Sequence, residues 1–98
     1  RMGRAWIDFT RRVAVPDEGS EEQLGDKGLG MLALFAREPG RVFSRLDILD
    51  EVWGMDSNPV ARTVDNYIMV LRRIIEPDSE NPVHLVTVRG EGWQYRGP

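Results

Sequence analysis

Arg62, Asn66, Met69 and Arg73 recur at helical spacing. At 100° per residue they share one face of a helix, and Val64, Ile68, Leu71 and Ile75 fall within about 60° of one another on the opposite face. Asp65 and Arg72 flank the polar face on one side, Thr63 and Val70 on the other. Guanidinium and carboxamide groups pair bidentately with guanine and adenine edges in a major groove, so this face is equipped to read bases. A solvated amphipathic helix carries the same pattern, and the helical wheel alone does not separate the two. Met69 and Val70 are apolar among polar neighbours and suit either a thymine methyl or a partner protein.

A second constellation lies near the C-terminus. Thr87 and Arg89 precede a tip flanked by Gly90 and Gly92. A long guanidinium on the end of a two-stranded ribbon can enter a narrow A·T-rich minor groove; an ordinary hairpin with an exposed arginine looks the same.

Other chemistry is sparse. His84 is the single histidine, and its alternating position in a strand makes it a structural or surface residue rather than part of a Ser-His-Asp arrangement; cysteine is absent, which excludes thiolate metal sites and disulfides. Asp17-Glu18 and Glu21-Glu22 are paired carboxylates in a polar stretch, which without a pocket reads as a solvated turn. The expectation is a protein with no catalytic residue, metal or cofactor.

The 98 residues amount to one small domain, 41% hydrophobic and 30% charged, a globular balance. No apolar run approaches the ~18 residues of a membrane span, and no signal-peptide core is present. A cytoplasmic setting is expected. The net charge of −3 argues against nucleic acid at first sight. The acids, however, gather in residues 15–30 and 47–56, away from the helical face and the hairpin. Twelve of the thirteen basic residues are arginine, a codon preference or a preference for bidentate contacts.

The elements that must position these groups follow from periodicity and punctuation. Residues 5–15 alternate as two short strands around Thr10-Arg11, and 16–23 form a polar turn with one more edge strand before Leu24. A helix over 27–38 carries Leu29, Leu32, Phe35 and Ala36 on one face, with Asp26 as N-cap and Pro39-Gly40 as its stop. Gly28 and Gly30 weaken its first turn. Val42-Phe43 is a short strand. Ser44 and Asp47 form a near capping box for a second helix, whose apolar face is Leu46, Ile48, Leu49, Val52 and Trp53 and whose C-cap is Gly54. Asn58-Pro59 opens a third helix that runs to about Ile75. Residues 83–89 are a strand, and Trp93-Gln94-Tyr95 returns as the last. The predicted fold is α+β: a winged helix-turn-helix with a small N-terminal antiparallel sheet (5–25), a three-helix core (26–75) and a C-terminal β-hairpin wing (83–96), all one domain over 1–98.

Four motifs in this order are more specific than any one. Phe43-Ser44-Arg45, Asp50-Glu51-Val52-Trp53-Gly54, Arg62-Thr63-Val64-Asp65 and Thr87-Val88-Arg89-Gly90-Glu91-Gly92-Trp93 resemble the OmpR/PhoB-type winged-helix output domain of two-component response regulators. Pro39-Gly40-Arg41-Val42 fits the same pattern, and the resemblance spans about residues 5–96. It implies a transcription factor that binds direct repeats in double-stranded promoter DNA as a dimer, the isolated domain being a monomer. It also implies an upstream receiver domain, phosphorylated by a sensor kinase, so no Asp of this chain would be the phospho-acceptor. The resemblance places the third helix in the major groove, with Arg62, Thr63, Asp65, Asn66, Tyr67, Met69, Val70, Arg72 and Arg73 on or beside the DNA and Arg72 on a phosphate. Arg45 and the Trp53 indole would meet the DNA backbone. Thr87 and Arg89 would serve the wing, on phosphate and minor groove. The loop with Met55, Asp56, Ser57 and Asn58 corresponds to the segment that touches RNA polymerase in activators.

The sequence departs from that family where it matters. Met69 and Val70 stand where most members carry two basic residues, Tyr67 where histidine is frequent, and Asn66 where the residue is typically apolar. Glu91 adds a negative charge at the wing tip. These changes imply weak electrostatics and a changed sequence preference. They also support an alternative: a winged helix that contacts RNA polymerase or another regulator, with weak or degenerate DNA binding.

Overall fold

The computed structural model describes residues 1–54 and 61–97. The chain opens with a three-stranded antiparallel sheet, β1 (Ala5–Asp8), β2 (Val13–Pro16) and β3 (Glu22–Gln23), in that spatial order. Asp8 shapes the first turn: its Oδ1 accepts from the backbone N–H groups of Thr10 and Arg11 at 3.0 and 2.9 Å. The register sets Ala5 opposite Pro16 and Asp8 opposite Val13, so Ala5 and Ala14 face the core.

Helix α1 (Asp26–Arg37) buries Gly28, Met31, Leu32, Leu34 and Phe35. Asp26 is not the N-cap. Gly25 holds that position with extended backbone and no side-chain cap, and Asp26 is the first helical residue. There its charge suits the helix dipole, and it pairs with Arg12 across the sheet edge. The helix stops at Pro39-Gly40, where Gly40 has φ +90°.

Strand β4 (Val42–Phe43) leads into α2 (Arg45–Ile48). The capping box is present in full: Ser44 Oγ accepts from the Asp47 N–H at 3.1 Å, and Asp47 Oδ2 accepts from the Ser44 N–H at 3.0 Å. The second half of this helix departs from the regular α-helix expected, because Leu49–Trp53 form a π-helical turn. The Gly54 N–H donates to Leu49 O at 2.9 Å, five residues back, and Gly54 leaves the turn with φ +75°. The apolar face is also narrower than the spacing suggested, since Leu46 is 72% exposed.

Helix α3 (Ala61–Ile75) buries Val64, Ile68, Leu71, Ile74 and Ile75. The Asn58-Pro59 start expected for it lies outside the described residues. Burial of side chains of this size contributes about 1.5–3 kcal/mol each, and this stripe fixes which face of α3 looks outward.

Strands β5 (Leu85–Val88) and β6 (Gly92–Tyr95) form the wing hairpin. The wing is not a free two-stranded ribbon. Strand β4 pairs with β6, Phe43 opposite Trp93, giving a sheet of order β4-β6-β5. Strand β5 starts at Leu85 rather than at Val83, because the Glu76 carboxylate takes the N–H groups of Val83 and His84. Phe43 meets Phe35 edge-on at 5.5 Å, which locks this sheet to α1.

Candidate nucleic-acid interface

The outward face of α3 carries Arg62, Asn66, Met69, Val70 and Arg73 exposed, with Thr63, Asp65 and Arg72 half-buried at its edges. No hydrogen bond or ion pair engages the side chains of Arg62 and Arg73 among the described residues. Helix α2, α3 and the wing converge on a shallow trough lined by Arg45, Asp65, Met69, Arg72, Thr87 and Trp93. The predicted groups of three separate elements are thus brought to one surface.

Arg45 stands at the centre of that trough. Its Nε and Nη2 donate to Asp65 Oδ1 and Oδ2 at 2.9 and 3.2 Å. Its guanidinium carbon lies 5.2 Å from the centroid of the buried Trp93 ring. The Asp65 carboxylate is therefore engaged within the protein, and Arg45 is held with part of its fork still open to solvent.

Arg72 is turned inward along the wing. Its Nε donates to Leu85 O at 3.0 Å and its Nη2 to Thr87 Oγ1 at 2.9 Å. Burial pulls its pKa below the usual arginine value, and the Glu76 carboxylate opposes that shift. In this geometry two of its nitrogens serve the α3–wing joint.

Tyr67 and Trp53 meet edge-on, ring centroids 5.4 Å apart. Both are partly buried against the core. Lys27 sits 5.8 Å from the Trp53 ring centroid and donates to Val52 O at 3.3 Å. The Tyr67 ring therefore packs against its neighbours. Thr87 is exposed apart from its bond to Arg72, and Arg89, Gly90 and Glu91 form the exposed wing tip. The polymerase-contact segment Met55, Asp56, Ser57 and Asn58 lies outside the described residues.

Sequence reasoning missed Glu76, which is 2% exposed. Its Oε1 accepts from the N–H groups of Val83 and His84 at 3.0 and 3.1 Å, and its Oε2 from those of His84 and Leu85 at 3.0 and 2.7 Å. A carboxylate just past a helix C-terminus opposes the helix dipole, and that mismatch was the available signal for a specific partner. Arg4 was also missed: it donates to Glu76 O at 3.1 Å and Arg73 O at 2.8 Å, closing the carbonyls at the end of α3. His84 is structural, with Nδ1 2.8 Å from Gly97 O. Among the described residues no cluster of His, Asp and Glu is placed to hold a metal ion, and no helix is long and apolar enough to cross a membrane.

Helix α2, α3 and a β-hairpin wing that converge on one arginine-bearing trough, with Asn66 exposed on the same face of α3, define a winged-helix domain of the DNA-binding type. The family model described as "Transcriptional regulatory protein, C terminal" matches residues 19–95, and the chain belongs to that family. Among relatives, the sensory transduction protein RegX3 of Mycobacterium tuberculosis is 40% identical over 95 residues, which is 97% of this chain and 41% of that protein. The chain thus spans about two fifths of that relative's length. Among solved structures, the DNA-binding domain of Escherichia coli CadC superposes with a TM-score of 0.83 at 26% identity, covering 100% of this chain and 91% of that one. The Klebsiella pneumoniae RstA DNA-binding domain, solved in complex with the RstA box, gives a TM-score of 0.74 at 25% identity, covering 97% of this chain and 93% of the other.

Proposed function

We propose that this chain binds double-stranded promoter DNA sequence-specifically, as the output domain of a transcriptional response regulator. Helix α3 lies in the major groove and Arg89 of the wing in the adjacent minor groove. The observation that carries this reading is the exposed Arg62–Asn66–Met69–Arg73 face, which shares its surface with Arg45 and the wing. The RstA domain, of like fold, is seen with its own box. The net charge of −3 then predicts a modest affinity for the isolated domain. Fluorescence anisotropy against sites selected from random DNA is the test. The expected result is a sequence preference and an affinity that falls with salt; binding with neither would overturn the reading.

The whole regulator follows from the same reading. It is a cytoplasmic protein with a receiver domain addressed by a sensor kinase, dimeric on direct repeats, with the 98-residue domain alone a monomer. The segment from Met55 to Asn58 is its contact with RNA polymerase. The exposure of Met69 and Val70 favours a second reading, an interaction module for polymerase or another regulator. A polymerase pull-down that survives Arg62→Ala and Arg89→Ala would support that second reading, and loss of capture in both variants would count against it.

A further inference from the structure

We infer that Met69 reads the C5-methyl group of a thymine and so sets base preference on the wing-ward side of the major-groove contact. The inference rests on the DNA-binding function proposed above. Met69 is 54% exposed and lies on the outward face on the side toward Arg72 and the wing, lining the trough with Arg45, Asp65, Arg72 and Thr87. A helix that enters the groove on this face carries Met69 in beside Asn66 and Arg73, on the side nearer the wing.

A thioether chain has no N–H or O–H to donate and is only a weak acceptor. The major-groove edges of guanine, cytosine and adenine present polar atoms, and the thymine methyl is the one apolar group there. Against any other base, Met69 would strip water from a polar edge and return no hydrogen bond, which costs free energy. Against thymine, it buries a methyl group. Its flexible, polarizable chain can settle on that methyl without strain.

The surroundings reinforce this. Arg72, the nearest cation toward the wing, is drawn back to Leu85 O and Thr87 Oγ1, so it does not cover the base opposite Met69. Asn66 lies three residues earlier, about 4.5 Å along the axis, a little more than one base-pair step of about 3.4 Å. Asn66 on an adenine and Met69 on a thymine one step away form a consistent pair. The residues one turn either side of Met69 are Asp65, Asn66, Arg72 and Arg73, and with the exposed Val70 it makes an apolar area of two side chains, smaller than a protein-docking patch.

The test uses the 98-residue protein and a duplex selected from a random pool. Each thymine within the footprint is replaced in turn by deoxyuridine, which deletes only the methyl, and affinity is read by anisotropy. At one position the unaltered protein is expected to lose about four-fold, the worth of one buried methyl. Met69→Ala is expected to bind the thymine and uracil duplexes equally, and Met69→Leu to keep the discrimination. The inference is overturned if Met69→Ala still discriminates at that position, or if binding is specific yet no thymine methyl matters. A pool that yields no enriched site overturns the proposed function and this inference together, whereas a specific site indifferent to uracil overturns this inference alone.

Discussion

Arg72 and Thr87 are joined by a 2.9 Å hydrogen bond from Nη2 to Oγ1, and the same guanidinium holds Leu85 O at 3.0 Å. Helix α3 and the first wing strand therefore share one rigid fork, so the distance between the two elements is set inside the protein. Removing the fork in Arg72→Ala is expected to lower stability by about 1–3 kcal/mol, the range for hydrogen bonds from a charged donor. Arg72→Lys keeps the charge, but its ammonium lacks the planar fork that spans both acceptors. Urea titration should show Lys recovering less than half of the lost stability. Full recovery would mean that charge, rather than the fork, matters.

Glu76 fixes the wing at its other end. Three backbone N–H groups converge on its carboxylate, and Glu76→Ala leaves them without that partner in a buried setting. A loss of about 3 kcal/mol or more is expected. Glu76→Gln, which retains one acceptor oxygen, should fall between. Amide hydrogen exchange at Val83, His84 and Leu85 should quicken in step with the loss. Unchanged protection at those amides would mean the carboxylate is not what holds the wing.

Much of this arrangement could be read in the chain beforehand. The capping box at Ser44, the stripe of α3 and the order of elements all follow from local chemistry, which acts over three or four residues and leaves a periodic trace. The π-helical turn at Leu49–Trp53 left none, because the same apolar spacing suits an α-helix until Gly54 takes its carbonyl from five residues back. Pairing of β4 with β6 joins residues about fifty positions apart, beyond the reach of periodicity. On the candidate interface, residue types placed Arg62, Asn66 and Met69 on the outward face. They did not show that Arg45 grips Asp65 or that Arg72 turns to the wing, since both contacts are made across elements.

The two glycines of the wing tip are not equivalent. Gly92 has φ +146°, and a Cβ there would lie 2.0 Å from Phe43 O, in the backbone of the neighbouring strand. Gly92→Ala is expected to cost more than about 3 kcal/mol and leave little folded protein, as thermal melting would show. Gly90 also has positive φ, at +79°, but open space around its Cβ position. Its alanine variant carries only the conformational penalty, about 1–2 kcal/mol. Equal losses at the two positions would contradict the steric argument.

Gly28 offers a gain. It lies in the first turn of α1 with no unusual φ, and an added Cβ would meet Tyr67 at 3.8 Å, an ordinary contact. Alanine is favoured over glycine in a helix by about 0.8–1.0 kcal/mol. Gly28→Ala should therefore raise the melting temperature by about 4–8 °C. Gly30→Ala is the contrast, since its Cβ would press to 3.2 Å on Val52 and offset the gain. A lower melting temperature for Gly28→Ala would show that Tyr67 has no room to accept the methyl.

Asp65 is an acid on a surface proposed to meet phosphates. Its pair with Arg45 is about half exposed on both sides, so its contribution to stability is at most about 1 kcal/mol. Asp65→Asn should thus melt almost as the parent does. It removes a negative charge from the interface and frees the Arg45 fork, held over Trp93, for a phosphate. Binding to duplex DNA of arbitrary sequence is expected to tighten by about three- to ten-fold at low salt, with the gain shrinking as salt rises. Anisotropy titrations of the two proteins at several salt concentrations check this. If Asp65→Asn instead weakens binding to arbitrary duplex, the carboxylate is needed to hold Arg45 in place, and the salt series would show a shallower slope for the variant.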